Sequence, residues 1–163
     1  MTTTLARLTV GTSVIELRRA TPDDLLAIVS LLAADQLGRT RESGDLVDLE
    51  PYRTAFRAID ADPAQLLVSA VVGEQVVGTF QLTFIPGLAR RGALRAQIEA
   101  VRVREDHRGA GLGAAMFEWA IAESRTRGCS LVQLTTDKGR RDAHRFYERL
   151  GFRASHEGLK LLL

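Results

Sequence analysis

Residues 99–120, EAVRVREDHRGAGLGAAMFEWA, hold the residue types of this chain best suited to chemistry. Arg108 stands directly before three glycines at alternate positions, Gly109, Gly111 and Gly113, with a strand-like run ahead and a helix-like run behind. The first N–H groups of a helix lack intrahelical partners and sit at the positive end of its dipole, where an anion is welcome. Glycine leaves no Cβ in the way of phosphate oxygens, and an arginine adds a charge suited to bidentate phosphate contact. Arg108, Gly109, Gly111 and Gly113 therefore make chemical sense as a pyrophosphate site. The plain alternative is a tight turn that needs glycine only to change direction.

The same letters admit a dinucleotide-binding reading, because GAGLGA satisfies G-x-G-x-x-G/A and Asp137 falls after the next strand-like run. Three features weigh against it. The glycines do not leave directly from Val103, the last strand-like residue; the upstream half reads as a hairpin; and only 50 residues follow Gly113.

The elements that must position this turn follow from periodicity. SVIELRRA alternates as a strand. TPDDLLAIVSLLAAD opens like a helix, with Thr21 placed to cap, Pro22 at the first helical position and Asp24 completing a T-x-x-D box. Leu25, Ile28, Val29 and Leu32 give that helix one apolar face. Pro51 opens a second helix carrying Tyr52, Phe56 and Ile59. LLVSAVVGEQVVGTFQLTFI reads as an antiparallel hairpin, AQIEAVRV as a further strand, and Gly111 to Arg127 as a long helix stopped by Gly128. CSLVQLTT is rich in β-formers, RRDAHRFYERLGF is a short helix, and GLKLLL is expected to close the sheet or to pair with a second subunit. The order is mixed α/β, with an antiparallel first half and one βαβ unit.

Composition bounds the rest. The 163 residues suit one domain, residues 1–163, and 45% hydrophobic with 26% charged residues is ordinary globular usage. No apolar run approaches the ~20 residues of a membrane span, and the N-terminus lacks a secretion pattern. Cys129 is the one cysteine, in keeping with a reducing, cytoplasmic setting. Of 22 basic residues only Lys138 and Lys160 are lysine, and Arg90, Arg91, Arg95, Arg102, Arg104 and Arg108 crowd together. That cluster suits a polyanion, either a nucleic acid or a polyphosphate cofactor, or else a solvated face. Aromatic interleaving of the kind a single-strand platform needs is missing.

Two blocks together resemble the GCN5-related N-acetyltransferase (GNAT) superfamily. RGAGLG, with Arg108, Gly111 and Gly113, is similar to that family's R/Q-x-x-G-x-G/A, and AHRFYERLGF, residues 143–152, to its A-x-x-F-Y-x-x-x-G-F. The resemblance implies a mixed sheet of about six to seven strands, splayed between the fourth and fifth and flanked by four helices. It implies acetyl-CoA as acyl donor and an amine as acceptor. The pyrophosphate would lie on the turn and first helical residues, adding Ala110, Leu112 and Ala114 to the contacts, and the backbone of Val101, Arg102 and Val103 would pair with the pantetheine arm as an added strand would. One position departs: many members carry asparagine where this chain has Arg140.

By the same resemblance, Tyr147 is the general acid. A phenol of pKa ~10 holds its proton at neutral pH and can give it to a thiolate whose conjugate pKa is ~8.5. Glu99 is placed to collect the amine's proton through water, with a raised pKa expected among apolar neighbours, unless it pairs with Arg102. His144 is a second candidate base; His107 and His156 read as solvent-facing. Cys129 and Trp119 read as packing, and the scattered histidines make no metal-ligand pattern. Acceptor choice would fall to residues 35–50, with Asp35, Glu42, Asp45 and Asp48, and to residues 86–95 with their arginines. A non-catalytic acyl-CoA sensor is the alternative from another class.

Overall fold

The computed structural model describes residues 3–34 and 48–163. Six strands lie side by side in chain order: β1 (Thr4–Val10), β2 (Ser13–Arg19), β3 (Gln65–Val72), β4 (Gln75–Pro86), β5 (Leu94–Val103) and β6 (Leu131–Gln133). The first five pair antiparallel and β6 joins parallel to β5. That last pairing needs a crossover, which is supplied by α4 (Leu112–Thr126). The other helices are α1 (Leu25–Ala33), α2 (Glu50–Ala61) and α5 (Arg141–Arg149), together with α3 (Ala89–Gly92), a single turn in which Arg90 and Arg91 take left-handed φ.

Alternation along the strands sorts the side chains into two layers. Leu66, Val68, Phe80, Leu82, Ala96 and Ile98 face α4 and are 3% exposed or less, packed on Leu112, Met116, Phe117 and Ala120. Leu67 faces the opposite way and joins Ala20, Leu25, Ile28, Val29 and Phe56 beneath α1 and α2. Gly78 on β4 admits α4 closely. A Cβ there would meet the Arg102 carbonyl at 3.1 Å and Met116 Sδ at 3.2 Å, so the glycine is required by packing.

Two expectations change. The strand-like run at the N-terminus, β1, pairs with β2 and adds a strand ahead of SVIELRRA. Consequently the parting expected between the fourth and fifth strands falls between β5 and β6. GLKLLL forms no strand: Leu159, Leu161, Leu162 and Leu163 are exposed. Its would-be neighbour, β6, is only three residues long and offers too short an edge to dock on.

Asp24 fastens the α1 end of the sheet. It is buried, accepts two hydrogen bonds of 2.6 Å from Arg18 on β2, one of 2.8 Å from the Thr21 amide, and one of 3.1 Å from Ser69 Oγ on β3. The amide bond is the half of the capping box that the T-x-x-D spacing promised. Burial pushes the carboxyl pKa up, but the Arg18, Thr21 and Ser69 hydrogen bonds outweigh it and hold the group below its ordinary value. With the folded pKa depressed, this contribution is complete above the unfolded pKa and lost as pH falls through the folded one. Asp24→Asn is expected to cost about 3 kcal/mol at pH 7 by stranding Arg18. Urea unfolding of wild type and variant should show that gap narrowing once the pH drops below about 4.

Candidate active site

The site begins where a strand pair ends. β5 and β6 are paired only at Arg95–Leu131, Ala96–Val132 and Gln97–Gln133; beyond Gln97 they separate. The gap is a cleft of about 300 Å³. Glu99, Val101, Arg102 and Val103 line it from β5, Leu134 to Thr136 from the far side, Gly113 and Phe117 from α4, Arg140 from just ahead of α5, and Tyr147 from α5.

A bulge in β5 bends the strand at this point. Thr79 pairs with Arg102 while Gln81 pairs with Glu99, so Ala100 and Val101 together oppose Phe80. Ala100 has φ 53°, a left-handed conformation that costs a non-glycine residue of order 1 kcal/mol or more. Bulges bend and twist a strand and re-aim its side chains. Nothing in EAVRV announces this one, because alanine carries no signal for positive φ.

Past the bulge, arginine side chains serve the β5 carbonyls where β6 has left. Arg102 Nη1 donates to the Val101 carbonyl and Arg108 Nε to the Val103 carbonyl, both at 2.9 Å. Arg108 thus ties the glycine turn back to the strand. The turn itself ends in Gly111, whose φ of 93° caps α4. The first helical bond is from the Ala115 amide to the Gly111 carbonyl at 3.0 Å. Among the described residues, no acceptor meets the amides of Gly109, Ala110, Gly111, Leu112, Gly113 or Ala114. Six consecutive unpaired donors at a helix start form an anion cradle. A Cβ on Gly113 would find only ordinary contacts with Phe146 and Val103, each 3.9 Å away. The space over that glycine is therefore open to a ligand rather than filled by protein. Leu112, expected as a cofactor contact, is 2% exposed; its side chain belongs to the core, and only its amide faces the cradle.

Tyr147 sits at the other wall. Its ring lies 5.5 Å from Phe117 and from Phe146 and 6.1 Å from Phe152, each edge-on. These contacts fix α5 against α4 and leave the phenol in the cleft lining. Burial raises the Tyr147 pKa, and the nearby charges of Arg140 and Arg102 pull it partway back. The phenol is therefore kept protonated at neutral pH, beside two cations.

Glu99 lines the same cleft but differs from expectation. It is exposed rather than sunk among apolar side chains, because the bulge and the parting open its face to solvent, and it makes no ion pair with Arg102. His144 is half-buried with Nε2 3.1 Å from the Asp137 carbonyl, and it does not line the cleft. His107 Nδ1 lies 2.8 Å from Asp106 Oδ1 and His156 Nδ1 2.8 Å from Ser155 Oγ. Cys129 is half-buried, and its thiol pKa is pushed up by burial. Asp35, Glu42 and Asp45 lie outside the described residues, while Asp48 accepts the Glu50 amide at 3.0 Å as a helix-start contact.

Two features were hidden in the sequence. Thr136 Oγ1 is buried in the cleft wall with no hydrogen-bond partner among the described residues, a polar atom placed for a ligand. The arginine cluster also disperses in space. Arg104 is held by Asp106 at 2.7 and 2.9 Å and by Gln75, Arg108 by Val103, and Arg102 lines the cleft. Among the described residues no three His, Cys, Asp or Glu side chains gather as a metal-ligand set. No helix there is long and apolar enough to cross a membrane.

Comparisons with known proteins place the chain among its relatives. An aminoalkylphosphonate N-acetyltransferase from Salmonella typhimurium is 32% identical over 143 residues, covering 88% of each chain. A glucosamine 6-phosphate N-acetyltransferase from Trypanosoma brucei brucei is 37% identical over 87 residues, 53% of this chain and 57% of that one. The crystal structure of a transcriptional regulator from Bacillus halodurans C-125 superposes with a TM-score of 0.88 at 48% identity, covering 91% of this chain and 99% of that chain. A model of the acetyltransferase (GNAT) family matches residues 30–152, from α1 to the end of the second sequence block, and the chain belongs to that family.

Proposed function

We propose that this protein is an acetyl-CoA-dependent N-acetyltransferase acting on a small-molecule primary amine. The observation that carries the reading is the juxtaposition of six unpaired amides, Gly109 to Ala114, with a cleft between parted strands whose walls hold Tyr147 and Glu99. A pyrophosphate suits the amides and Arg108. The edge of β5 that β6 leaves, where side chains alone reach the Val101 and Val103 carbonyls, suits the amide-bearing pantetheine arm, and the Thr136 hydroxyl, without a partner among the described residues, offers it a further hydrogen bond.

Bound there, acetyl-CoA supplies the activated acetyl group as the donor substrate. A neutral amine attacks the thioester carbonyl, so a C–N bond forms and the C–S bond breaks. Tyr147 donates its proton to the departing sulfur. Arg140, in the place where many relatives have asparagine, adds positive potential next to Tyr147 and so favours the negative charge that develops on sulfur. Glu99, open to solvent, takes the amine's proton through water. The Salmonella relative, similar along most of both chains, supports a small amine as acceptor over a protein side chain. Arg104, taken up by Asp106, and Arg108, tied by its Nε to the Val103 carbonyl, count against the nucleic-acid reading of the cluster.

Thermal unfolding with acetyl-CoA, CoA, NAD or no ligand tests the donor. A ligand at 100 times its Kd adds about 2.7 kcal/mol, so acetyl-CoA and CoA should raise Tm and NAD should not. Stabilisation by NAD alone would mean that the turn is a dinucleotide site.

Tyr147→Phe should lower kcat about 10²- to 10⁴-fold with acetyl-CoA affinity unchanged; unchanged turnover would remove Tyr147 as the acid. Since the acid must be protonated, activity should fall as pH rises through the folded Tyr147 pKa, which burial raises from its ordinary value. The chain has two tyrosines, so ultraviolet titration in a Tyr52→Phe background reads Tyr147 alone. Arg140→Ala is expected to move that titration to still higher pH.

A further inference from the structure

The helix that carries Tyr147 begins without the usual support. Arg140 stands at the N-cap of α5 with no side-chain cap, and the turn ahead of the helix runs Asp137-Lys138-Gly139-Arg140. A helix start that lacks a capping oxygen is the part of a helix most prone to fray. Yet this start belongs to the site. Thr136, just ahead of the turn, and Arg140, at its end, line the cleft together with Tyr147.

Within the turn, the Arg140 amide donates to the Asp137 carbonyl at 3.1 Å, the Gly139 amide to Asp137 Oδ1 at 2.8 Å and the Arg141 amide to the Gly139 carbonyl at 3.0 Å. Lys138 and Glu157 meet at 3.5 Å, but both are largely exposed, where an ion pair holds little. The tie to the body of α5 comes from His144, one turn into the helix. Its amide donates to the Arg140 carbonyl at 3.1 Å, and its ring Nε2 lies 3.1 Å from the Asp137 carbonyl oxygen. A carbonyl oxygen only accepts, so Nε2 carries the hydrogen. The Asp137 oxygen then has both lone pairs filled, by the Arg140 amide and by His144. One histidine therefore grips the turn at both ends, Arg140 by its amide and Asp137 by its ring. The ring is half-buried and outside the cleft lining, and Tyr147 follows it by three residues, on the neighbouring part of the helix surface.

We propose that His144 is a positioning residue: by holding the Asp137–Arg140 turn on α5, it keeps Thr136 and Arg140 in the cleft wall beside Tyr147. The assignment rests on the proposed function for the part those groups play in acetyl transfer. It also replaces the base role that a histidine near the site invites. Imidazole with its hydrogen on Nε2 and imidazolium both offer that N–H, so the grip on Asp137 persists in either form. A general base would instead lose its function on taking up a proton.

The Tyr147 phenol reports where Arg140 stands. Arg140 from the turn and Arg102 from β5 both draw its pKa down against burial, and Glu99 lines the same cleft. In the Tyr52→Phe background, His144→Leu removes the Nε2 donor and should move the ultraviolet titration of Tyr147 to higher pH, in the direction of Arg140→Ala. It should also lower kcat about three- to tenfold, the range of one lost hydrogen bond. His144→Gln, whose side-chain amide offers a donor nitrogen, should restore both. The double variant His144→Leu with Arg140→Ala should titrate like Arg140→Ala alone, because the histidine acts through that arginine. Tm at pH 7 checks each fold, and His144→Ala, with less bulk, replaces His144→Leu if the leucine variant is unfolded. An unmoved titration and kcat in His144→Leu, or a move to lower pH from opening the phenol to water, would overturn the assignment. So would additive shifts in the double variant. Equal impairment of His144→Gln, with the acid limb of the pH–rate profile abolished, would make the histidine a base instead. The titrations use protein free of acetyl-CoA, so they decide the role of His144 even if the wild type neither binds nor turns over acetyl-CoA, the separate outcome that removes the proposed function.

Discussion

The whole site depends on β6 abandoning β5 after three residue pairs. A parallel strand that stayed in register would satisfy the β5 edge with backbone bonds and close the sheet. The bulge at Ala100 instead turns β5 away at the point where β6 stops, and the loosened edge carbonyls are met by Arg102 and Arg108. The walls of the cleft carry helix-start amides on one side, a phenol on another and an exposed carboxylate on the strand between them.

The rest of the molecule holds this opening still. Gly78 lets α4 lie close enough to β4 and β5 for its N-terminus to reach the cleft. Phe117 is the hub from which Phe146, Tyr147 and Phe152 are positioned edge-on, so the Tyr147 phenol is held by core packing. At the far side, Asp24 joins β2, β3 and the start of α1 through one buried carboxylate. The apolar layer beneath α1 and α2 gives way to the half-buried glutamines of β3, β5 and β6 on the same face.

The charges are arranged by tertiary contact more than by count. Six arginines crowd the sequence from Arg90 to Arg108, yet in the fold Arg104 is spent on Asp106, while Arg108 gives only its Nε to a strand carbonyl. Asp106, hydrogen-bonded by Arg104 and His107, is held well below the usual carboxylate range. Arg102 and Arg140 come from segments far apart in the chain and act together on Tyr147. A linear reading of charge clusters would treat Arg104 as available and miss the meeting of Arg102 with Arg140 beside Tyr147.

By itself the sequence determined the elements and two motifs. Period-two and helical spacing located β2 to β5 and the four longer helices, and the glycine turn and the Phe146-Tyr147 block pointed to the family, because these depend on local backbone preference and on short fixed spacings. What it could not show depends on residues brought together from afar. The left-handed φ of Ala100 is imposed by neighbouring strands on a residue with no preference for it. The exposure of Glu99 follows from that bulge, the burial of Leu112 from the close seat of α4, and the short β6 leaves GLKLLL without an edge. The facing residues Gln65, Thr83, Gln97 and Gln133 span four strands and 69 positions of sequence, and only strand register, a tertiary property, places them side by side.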